Sequence, residues 1–159
     1  MSRFHRLRKA TADDIFFIRA LEMDPANIFV HCWDEETHRQ NIADPLFHYL
    51  IAEGIQGTAL GYAILVENEP SIVEWRRIIV ARRDDGIGSA FMQAVIDKFT
   101  GNGASMLWLD VYEENLRARH VYSSKGFKEV RTEPLASDPD VTLVIMELPL
   151  DSISVAQTR

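Results

Sequence analysis

The chain has 159 residues, of which 47% are hydrophobic and 26% are charged, a balance typical of a soluble globular protein with one domain. Its net charge of −7 argues against duplex nucleic acid as a partner, because that binding depends on Lys and Arg side chains that neutralise phosphates. We expect a cytoplasmic protein without membrane contact, since no apolar run nears the roughly 20 residues that span a bilayer, no signal peptide is apparent, and the lone Cys32 forms no intramolecular disulfide.

The first half of the chain is predicted to form a strand, two helices and three further strands. Residues 4–10 have the pattern of a strand, and Thr11 with Asp14 has the spacing of a capping box that starts a helix running to about Met23. A second, more exposed helix is expected over 33–43. Segments joined by turns that contain glycine or proline then predict antiparallel strands at 47–53, 58–68 and 72–80.

The second half alternates helices with strands. Apolar residues recur at helical spacing from Ile87 to Phe99, which predicts a helix over about 87–100. A buried strand at 106–111 and a helix at 115–125 follow. Two last strands are expected at 128–133 and 141–148, separated by a loop at 134–140. The order predicts an α/β fold with a mixed, mostly antiparallel sheet of about seven strands and four helices, in a single domain over 1–150 with a polar tail at 151–159.

A glycine-containing loop, RRDDGIGSA at 82–90, joins a strand to a helix. Gly86 and Gly88 allow backbone N–H groups to approach a ligand closely, and a helix N-terminus attracts anions, so the loop suits a pyrophosphate. A plain strand-to-helix turn explains it equally well. Neither the dinucleotide fingerprint nor the P-loop fits, because the third glycine of the first and the lysine of the second are missing.

Together with the segment at 107–127, this loop resembles the two core motifs of the GNAT superfamily of acyl-CoA-dependent N-acetyltransferases. The first family motif is approximately Q/R-x-x-G-x-G/A, matched here by Arg83, Gly86 and Gly88. The second commonly reads L-x-V-x-x-x-N-x-x-A-x-x-x-Y-x-x-x-G-F, matched by Leu109, Val111, Asn115, Ala118, Tyr122, Gly126 and Phe127. The order of elements over about residues 4–148 also resembles that of the family.

The resemblance implies that two neighbouring strands splay apart and leave a cleft for acetyl-CoA. The loop from Arg83 to Ser89 would bind the pyrophosphate, and the strand edge at 78–80 would bind the pantetheine arm. Asn115 would contact the pantetheine or the incoming amine, and Tyr122 would protonate the departing thiolate. The implied cofactor-binding set is Ile78, Ile79, Val80, Arg83, Asp85, Gly86, Ile87, Gly88, Ser89, Asn115 and Tyr122.

Several of these residues also have ordinary structural explanations. Asn115 stands where a helix N-cap belongs, and Tyr122 suits a core aromatic residue. Arg117 and Arg119 fit a solvated helix face or a contact with the 3′-phosphate of CoA. Asp84 and Asp85 depart from the family pattern. Their carboxylates would repel a pyrophosphate unless they point outward.

Glu74 is the candidate general base, because a carboxylate inside an apolar strand is costly unless it is paired or functional. A salt bridge to Arg76 or a place on the solvent face would also explain Glu74. Glu22 on the first helix is a second choice. Backbone N–H groups near Ile79 are candidates to polarise the acetyl carbonyl.

The implied function is an N-acetyltransferase that moves an acetyl group from acetyl-CoA to a primary amine by direct attack in a ternary complex. The alternative is a non-catalytic acyl-CoA sensor on the same fold. The acceptor is expected to be a small-molecule or peptide amine, selected by residues 24–40 and 134–140. His31 and His38 lack partners at metal-ligand spacing, so no metal is expected, and a homodimer stays open.

Overall fold

The computed structural model describes residues 3–27, 31–81 and 86–150, which form seven strands and four α-helices. In chain order these are β1 (Phe4–Lys9), α1 (Ile15–Glu22), α2 (Glu35–Ala43), β2 (Phe47–Gly54), β3 (Ala59–Glu69), β4 (Ile72–Val80), α3 (Ile87–Gly101), β5 (Met106–Tyr112), α4 (Leu116–Ser124), β6 (Lys128–Leu135) and β7 (Asp138–Pro149). The strands form one sheet in the order β1-β2-β3-β4-β5-β7-β6. None of the described helices is both long and apolar enough to cross a bilayer.

The chain falls into two compact units, which are described separately. The first combines Met1–Glu67 with Trp75–Lys98, and the second combines Asn68–Glu74 with Phe99–Arg159. In the first unit, β2 pairs antiparallel with both β1 and β3. Its strands alternate apolar residues toward a core, which is formed by Ala10, Ile18, Leu21, Tyr49, Ile51, Tyr62, Ile64, Val66 and Ile79.

The start of α1 confirms the predicted capping box. The Thr11 hydroxyl accepts a backbone hydrogen bond, and the Asp14 carboxylate accepts one from the Thr11 N–H at 2.8 Å. A short 3₁₀ turn over Ala12–Asp14 precedes the α-helix, which therefore begins at Ile15. On α1, Ile18 and Leu21 are buried and Phe17 is partly buried.

In the second unit, β7 pairs antiparallel with β5 on one side and β6 on the other. The predicted loop at 134–140 is wrong, because only Ala136 and Ser137 form a turn and the flanking residues belong to β6 and β7. The prolines there suggested a loop. Pro134 is tolerated because β6 is an edge strand, where a missing N–H need not break a ladder.

The first residues of β4 pair parallel with β5. Within the described residues this pairing covers Ile72–Glu74 with Met106–Trp108, three residue pairs. Parallel strands require a crossover between them, and α3 supplies it.

Candidate active site

The C-terminal half of β4, in the first unit, carries the predicted pantetheine-binding edge. Ile79 is buried, whereas Ile78 and Val80 are partly exposed. Gly61 on β3 faces this segment so closely that an added Cβ would lie 2.5 Å from the Ile79 carbonyl oxygen and 3.0 Å from the Val80 Cα. Only glycine fits at position 61. Because it has no side chain, β3 can lie against the β4 backbone that is predicted to bind the pantetheine arm.

The start of α3 carries the predicted pyrophosphate site. Gly86 has φ +73°, a left-handed conformation that favours glycine, and the Ala90 N–H donates to the Gly86 carbonyl at 3.3 Å. The N–H groups of Ile87, Gly88 and Ser89 therefore precede the first bond of the helix, where a helix attracts anions.

The described residues leave space at this helix start. Among them, a Cβ added at Gly86 would meet nothing within 4 Å, and one at Gly88 would meet only the Val80 methyl groups at 4.0 Å. Nothing in the described part of the chain blocks an anionic group from the first turn of α3 at these two glycines. Arg83 and Asp85, which were predicted to complete this site, lie outside the described residues together with Arg82 and Asp84.

Glu74 belongs to the second unit and is only 9% exposed, so a place on the solvent face is ruled out. The Asn68 Nδ2 donates to Glu74 Oε1 at 3.3 Å, and the Trp108 Nε1 donates to Asn68 Oδ1 at 3.1 Å. A buried carboxylate held by an amide donor has the environment of a proton acceptor.

Asn115 and Tyr122 lie at the start and near the end of α4. Asn115 is the N-cap of this helix, since its Oδ1 accepts from the Ala118 N–H at 3.2 Å. The Nδ2 group and the second lone pair of Oδ1 stay available in this cap geometry for a ligand contact by Asn115. Tyr122 is half-buried, and its ring meets the Phe127 ring edge-on with centroids 6.0 Å apart. Asn115 therefore caps α4, and Tyr122 packs as an aromatic residue against Phe127.

The electrostatics of Tyr122 decide its protonation. Burial, with a smaller contribution from the Asp110 carboxylate, raises the pKa of Tyr122 to about 12. The phenol is therefore protonated at neutral pH and can donate a proton or a hydrogen bond. It is a weaker acid than a tyrosine at the reference pKa of about 10, so its match to a thiol with a pKa near 8.5 is poorer than the sequence suggested.

Arg119 on α4 has a structural role. Its Nε and Nη2 atoms bind both carboxylate oxygens of Glu129 at 3.0 and 3.1 Å, and Nη1 donates to the Glu113 carbonyl at 2.8 Å. This fork geometry ties α4 to β6. Arg119 is therefore a poor candidate for binding the 3′-phosphate of CoA.

Sequence reasoning missed a buried polar network in the first unit. His38 places Nε2 at 2.9 Å from Glu22 Oε1 and Nδ1 at 2.8 Å from the Tyr49 hydroxyl, and Glu22 Oε2 is paired with Arg77. The Arg77 guanidinium also lies 4.5 Å from the centre of the Trp33 ring. Because both Glu22 oxygens are engaged and its side chain is fully buried, Glu22 is unsuited to act as the base.

No local signal in the sequence would have revealed this network. His38 and Arg77 lie 16 and 55 positions from Glu22 along the chain. The sequence shows that Glu22 is a polar residue among apolar neighbours. That pattern does not identify His38 or Arg77 as its partners.

One family model and several curated proteins match this chain. The family model described as "Acetyltransferase (GNAT) family" matches residues 15–127. The [ribosomal protein bS18]-alanine N-acetyltransferase of Escherichia coli K12 is 26% identical over 124 residues, covering 74% of this chain and 81% of that protein. An uncharacterised N-acetyltransferase of Mycobacterium tuberculosis is 32% identical over 74 residues, covering 45% of this chain and 47% of that protein.

Solved structures agree on the fold. The ribosomal-protein-S18-alanine N-acetyltransferase from Escherichia coli has a TM-score of 0.75 and 21% identity, covering 91% of this chain and 92% of that one. The spermidine N-acetyltransferase from Vibrio cholerae, in complex with CoA and spermine, has a TM-score of 0.79 and 21% identity. The match covers 94% of this chain and 96% of that one. Because the sequence contains both core motifs and the family model matches residues 15–127 of the chain, the chain is an acyltransferase that belongs to the GNAT family of acetyltransferases.

Proposed function

We propose that this protein transfers an acetyl group from acetyl-CoA to a primary amine by direct attack of the amine in a ternary complex. The observation that carries the proposal is the environment of Glu74, a buried carboxylate within an apolar strand that is held by an amide donor. A buried carboxylate needs partners that compensate for its lost hydration, and Asn68 supplies one of them. Amine acetylation needs a proton acceptor of this kind, because only the unprotonated amine is a nucleophile.

The cofactor-binding role falls to the first unit. Acetyl-CoA supplies the acetyl group as a thioester. The N–H groups at the start of α3, over Ile87–Ser89, are proposed to bind its pyrophosphate, and the open surface at Gly86 and Gly88 supports this. The backbone of β4 at Ile78–Val80 is proposed to bind the pantetheine arm, with the Ile79 N–H polarising the acetyl carbonyl. Arg83 and Asp85 complete the proposed set.

Glu74 is proposed to take the proton from the substrate ammonium. The N–H bond of the ammonium breaks and an O–H bond to the Glu74 carboxylate forms, which leaves a lone pair on nitrogen for the attack. The new C–N bond then forms as the C–S bond breaks. Glu74 returns its proton to solvent before the next turnover, so no further reactant is needed.

Tyr122 is proposed to donate its phenolic proton to the departing sulfur and to recover a proton from the acetylated nitrogen. Its raised pKa, about 12, keeps that proton in place at neutral pH. Because the phenol is a weaker acid than the thiol, its hydrogen bond to sulfur strengthens as the C–S bond breaks, and the proton moves to sulfur as the phenol recovers one from the nitrogen. Asn115 Nδ2 is proposed to orient the pantetheine or the amine.

The acceptor is proposed to be a small-molecule or peptide amine. By their names, the relatives act on alanine of a ribosomal protein and on spermidine, so both types are reasonable trial substrates. The net charge of −7 favours a cationic acceptor.

The test has two steps. Calorimetry with acetyl-CoA measures cofactor binding, and a thiol-release assay then measures turnover on a panel that includes spermidine and an alanine-terminated peptide. We expect binding and thiol release with at least one amine. No binding of acetyl-CoA would overturn the proposal, and binding without turnover on any amine would favour the acyl-CoA sensor instead.

A further inference from the structure

Three side chains of the second unit form a row across neighbouring strands. In the strand register, Glu74 of β4 is opposite Trp108 of β5, and Trp108 is opposite Glu147 of β7. Register partners present their side chains on the same face of a sheet. Glu74 therefore lies beside the half-buried indole of Trp108, and Asn68, near the end of β3, contacts both.

Hydrogen bonding fixes how the Asn68 amide is oriented. An indole N–H is a donor only, so the atom that it meets at 3.1 Å must be the Asn68 carbonyl oxygen. The amide nitrogen, which is a donor, then faces Glu74 Oε1 at 3.3 Å. The opposite orientation would set donor against donor at Trp108 and acceptor against acceptor at Glu74. The indole thus determines that Asn68 presents N–H groups to the carboxylate.

We propose that Asn68 and Trp108 are positioning residues for the base, with Trp108 orienting the Asn68 amide and Asn68 holding the Glu74 carboxylate in a fixed direction. This inference rests on the proposed function, because it gives Glu74 the role of base. Neither residue belongs to the family motifs that the sequence matched.

Charged residues surround this row on the same face of the sheet. Asp110 lies two residues beyond Trp108 on β5, and Glu147 is the register partner of Trp108. Lys128 is the register partner of Glu147, and Arg76 follows Glu74 by two positions on β4. An N–H donor to one oxygen of the Glu74 carboxylate fixes the direction of the other.

The experiment measures kcat, KM for acetyl-CoA and the rate–pH profile of Asn68→Ala and Trp108→Phe, each alone and combined with Glu74→Gln, using whichever panel amine gives thiol release. We expect Asn68→Ala to lower kcat about three- to tenfold, with KM changed less than about twofold. Trp108→Phe should lower kcat by a smaller factor in the same way. Asn102 is an exposed asparagine in the α3–β5 connection, so Asn102→Ala is the matched control and should leave kcat and KM unchanged.

The Glu74→Gln background separates positioning from general damage. If Asn68 and Trp108 act through Glu74, neither substitution should lower kcat further once Glu74 is glutamine. Equal losses in both backgrounds would overturn the inference, as would an unchanged kcat for Asn68→Ala. Full turnover by Glu74→Gln alone is a different outcome, because it would remove Glu74 as the base and with it this inference, while leaving cofactor binding intact.

A spectroscopic measurement does not depend on the acceptor. The Nε1–H resonance of Trp108 should shift in Asn68→Ala and, through the amide, also in Glu74→Gln, when thermal unfolding shows that each variant is folded. An indole resonance that ignores both substitutions would overturn the hydrogen-bonded chain.

Discussion

The Nε2 atom of His38 lies 2.9 Å from Oε1 of Glu22, and both side chains are completely buried. This contact ties α2 to α1, and the pairing of Glu22 with Arg77 extends it to β4. A buried carboxylate without such partners would lose its hydration without compensation. The network therefore holds three elements of the first unit in one arrangement, at the cost of burying charge.

Removing one member of this network should be strongly destabilising. We expect Arg77→Ala to lower the free energy of unfolding by about 3–5 kcal/mol, because it leaves Glu22 buried without its cationic partner. The double variant Glu22→Leu with Arg77→Met should lose less than the single one, since it removes both charges. Urea denaturation measures both. Arg39→Ala, which breaks only the exposed pair with Glu35, is the control and should cost less than about 1 kcal/mol.

The stability of the first unit should fall in acid through the carboxylates that bind Arg8. Arg8 donates to both oxygens of Asp14, at 2.8 and 2.9 Å, and to Glu53 at 2.5 Å. The hydrogen bonds from Arg8 hold the pKa values of Asp14 and Glu53 below their usual range, with Arg6 adding to the effect at Glu53. Groups with a lowered pKa in the folded state contribute stability above their unfolded pKa values, near 4, and lose it as the pH falls through the folded values.

Arg8→Met should therefore flatten the decline of stability below about pH 4. Urea midpoints measured between pH 2 and pH 7 for both proteins would check this. A variant that is destabilised equally at every pH would show that the ion pairs do not cause the acid sensitivity.

Gly61→Ala should destabilise the protein by about 1–3 kcal/mol, because the new methyl group would lie 2.5 Å from the backbone oxygen of Ile79, which cannot move independently of β4. It should also weaken acetyl-CoA binding if β4 holds the pantetheine. Thermal unfolding and calorimetry measure the two effects. Gly101→Ala, whose Cβ meets nothing within 4 Å, is the control, and equal stability of the two variants would contradict the packing argument.

Tyr122→Phe should lower kcat about 100-fold while the Kd for acetyl-CoA changes little, since it removes the proton donor and keeps the ring that packs on Phe127. Because the pKa of Tyr122 is about 12, the wild-type rate should show no alkaline decline caused by this residue below about pH 10. Single-turnover thiol release across pH measures both. Tyr112→Phe serves as a matched aromatic control, and unchanged turnover in Tyr122→Phe would remove Tyr122 from the mechanism.

Glu74→Gln should abolish the acidic limb of the rate–pH profile and lower kcat by about 100-fold, because glutamine cannot accept the ammonium proton. The loss should shrink as the pH rises and more of the amine is already neutral. A limb of wild-type shape in this variant would show that another group is the base.

The local pattern of the sequence was sufficient for most elements. Alternation and turn residues predicted β4 over 72–80, and the structure has Ile72–Val80. The spacing of Thr11 and Asp14 predicted the cap before α1, and Asn115 was recognised as a possible cap of α4. Motif spacing alone identified the family that the comparisons then showed. Each of these features depends on residues within a few positions of each other, so one chain segment contains the whole signal.

Only the tertiary structure decided which distant residues meet. β7 lies between β5 and β6, the supposed loop at 134–140 is a two-residue turn between paired strands, and Glu22 is bound by His38 and Arg77. The contacts of Asn68 with Glu74 and Trp108 belong to the same class. Strand order and the pairing of buried charges depend on the total free energy of packing segments far apart in the chain, and local periodicity carries no record of that choice.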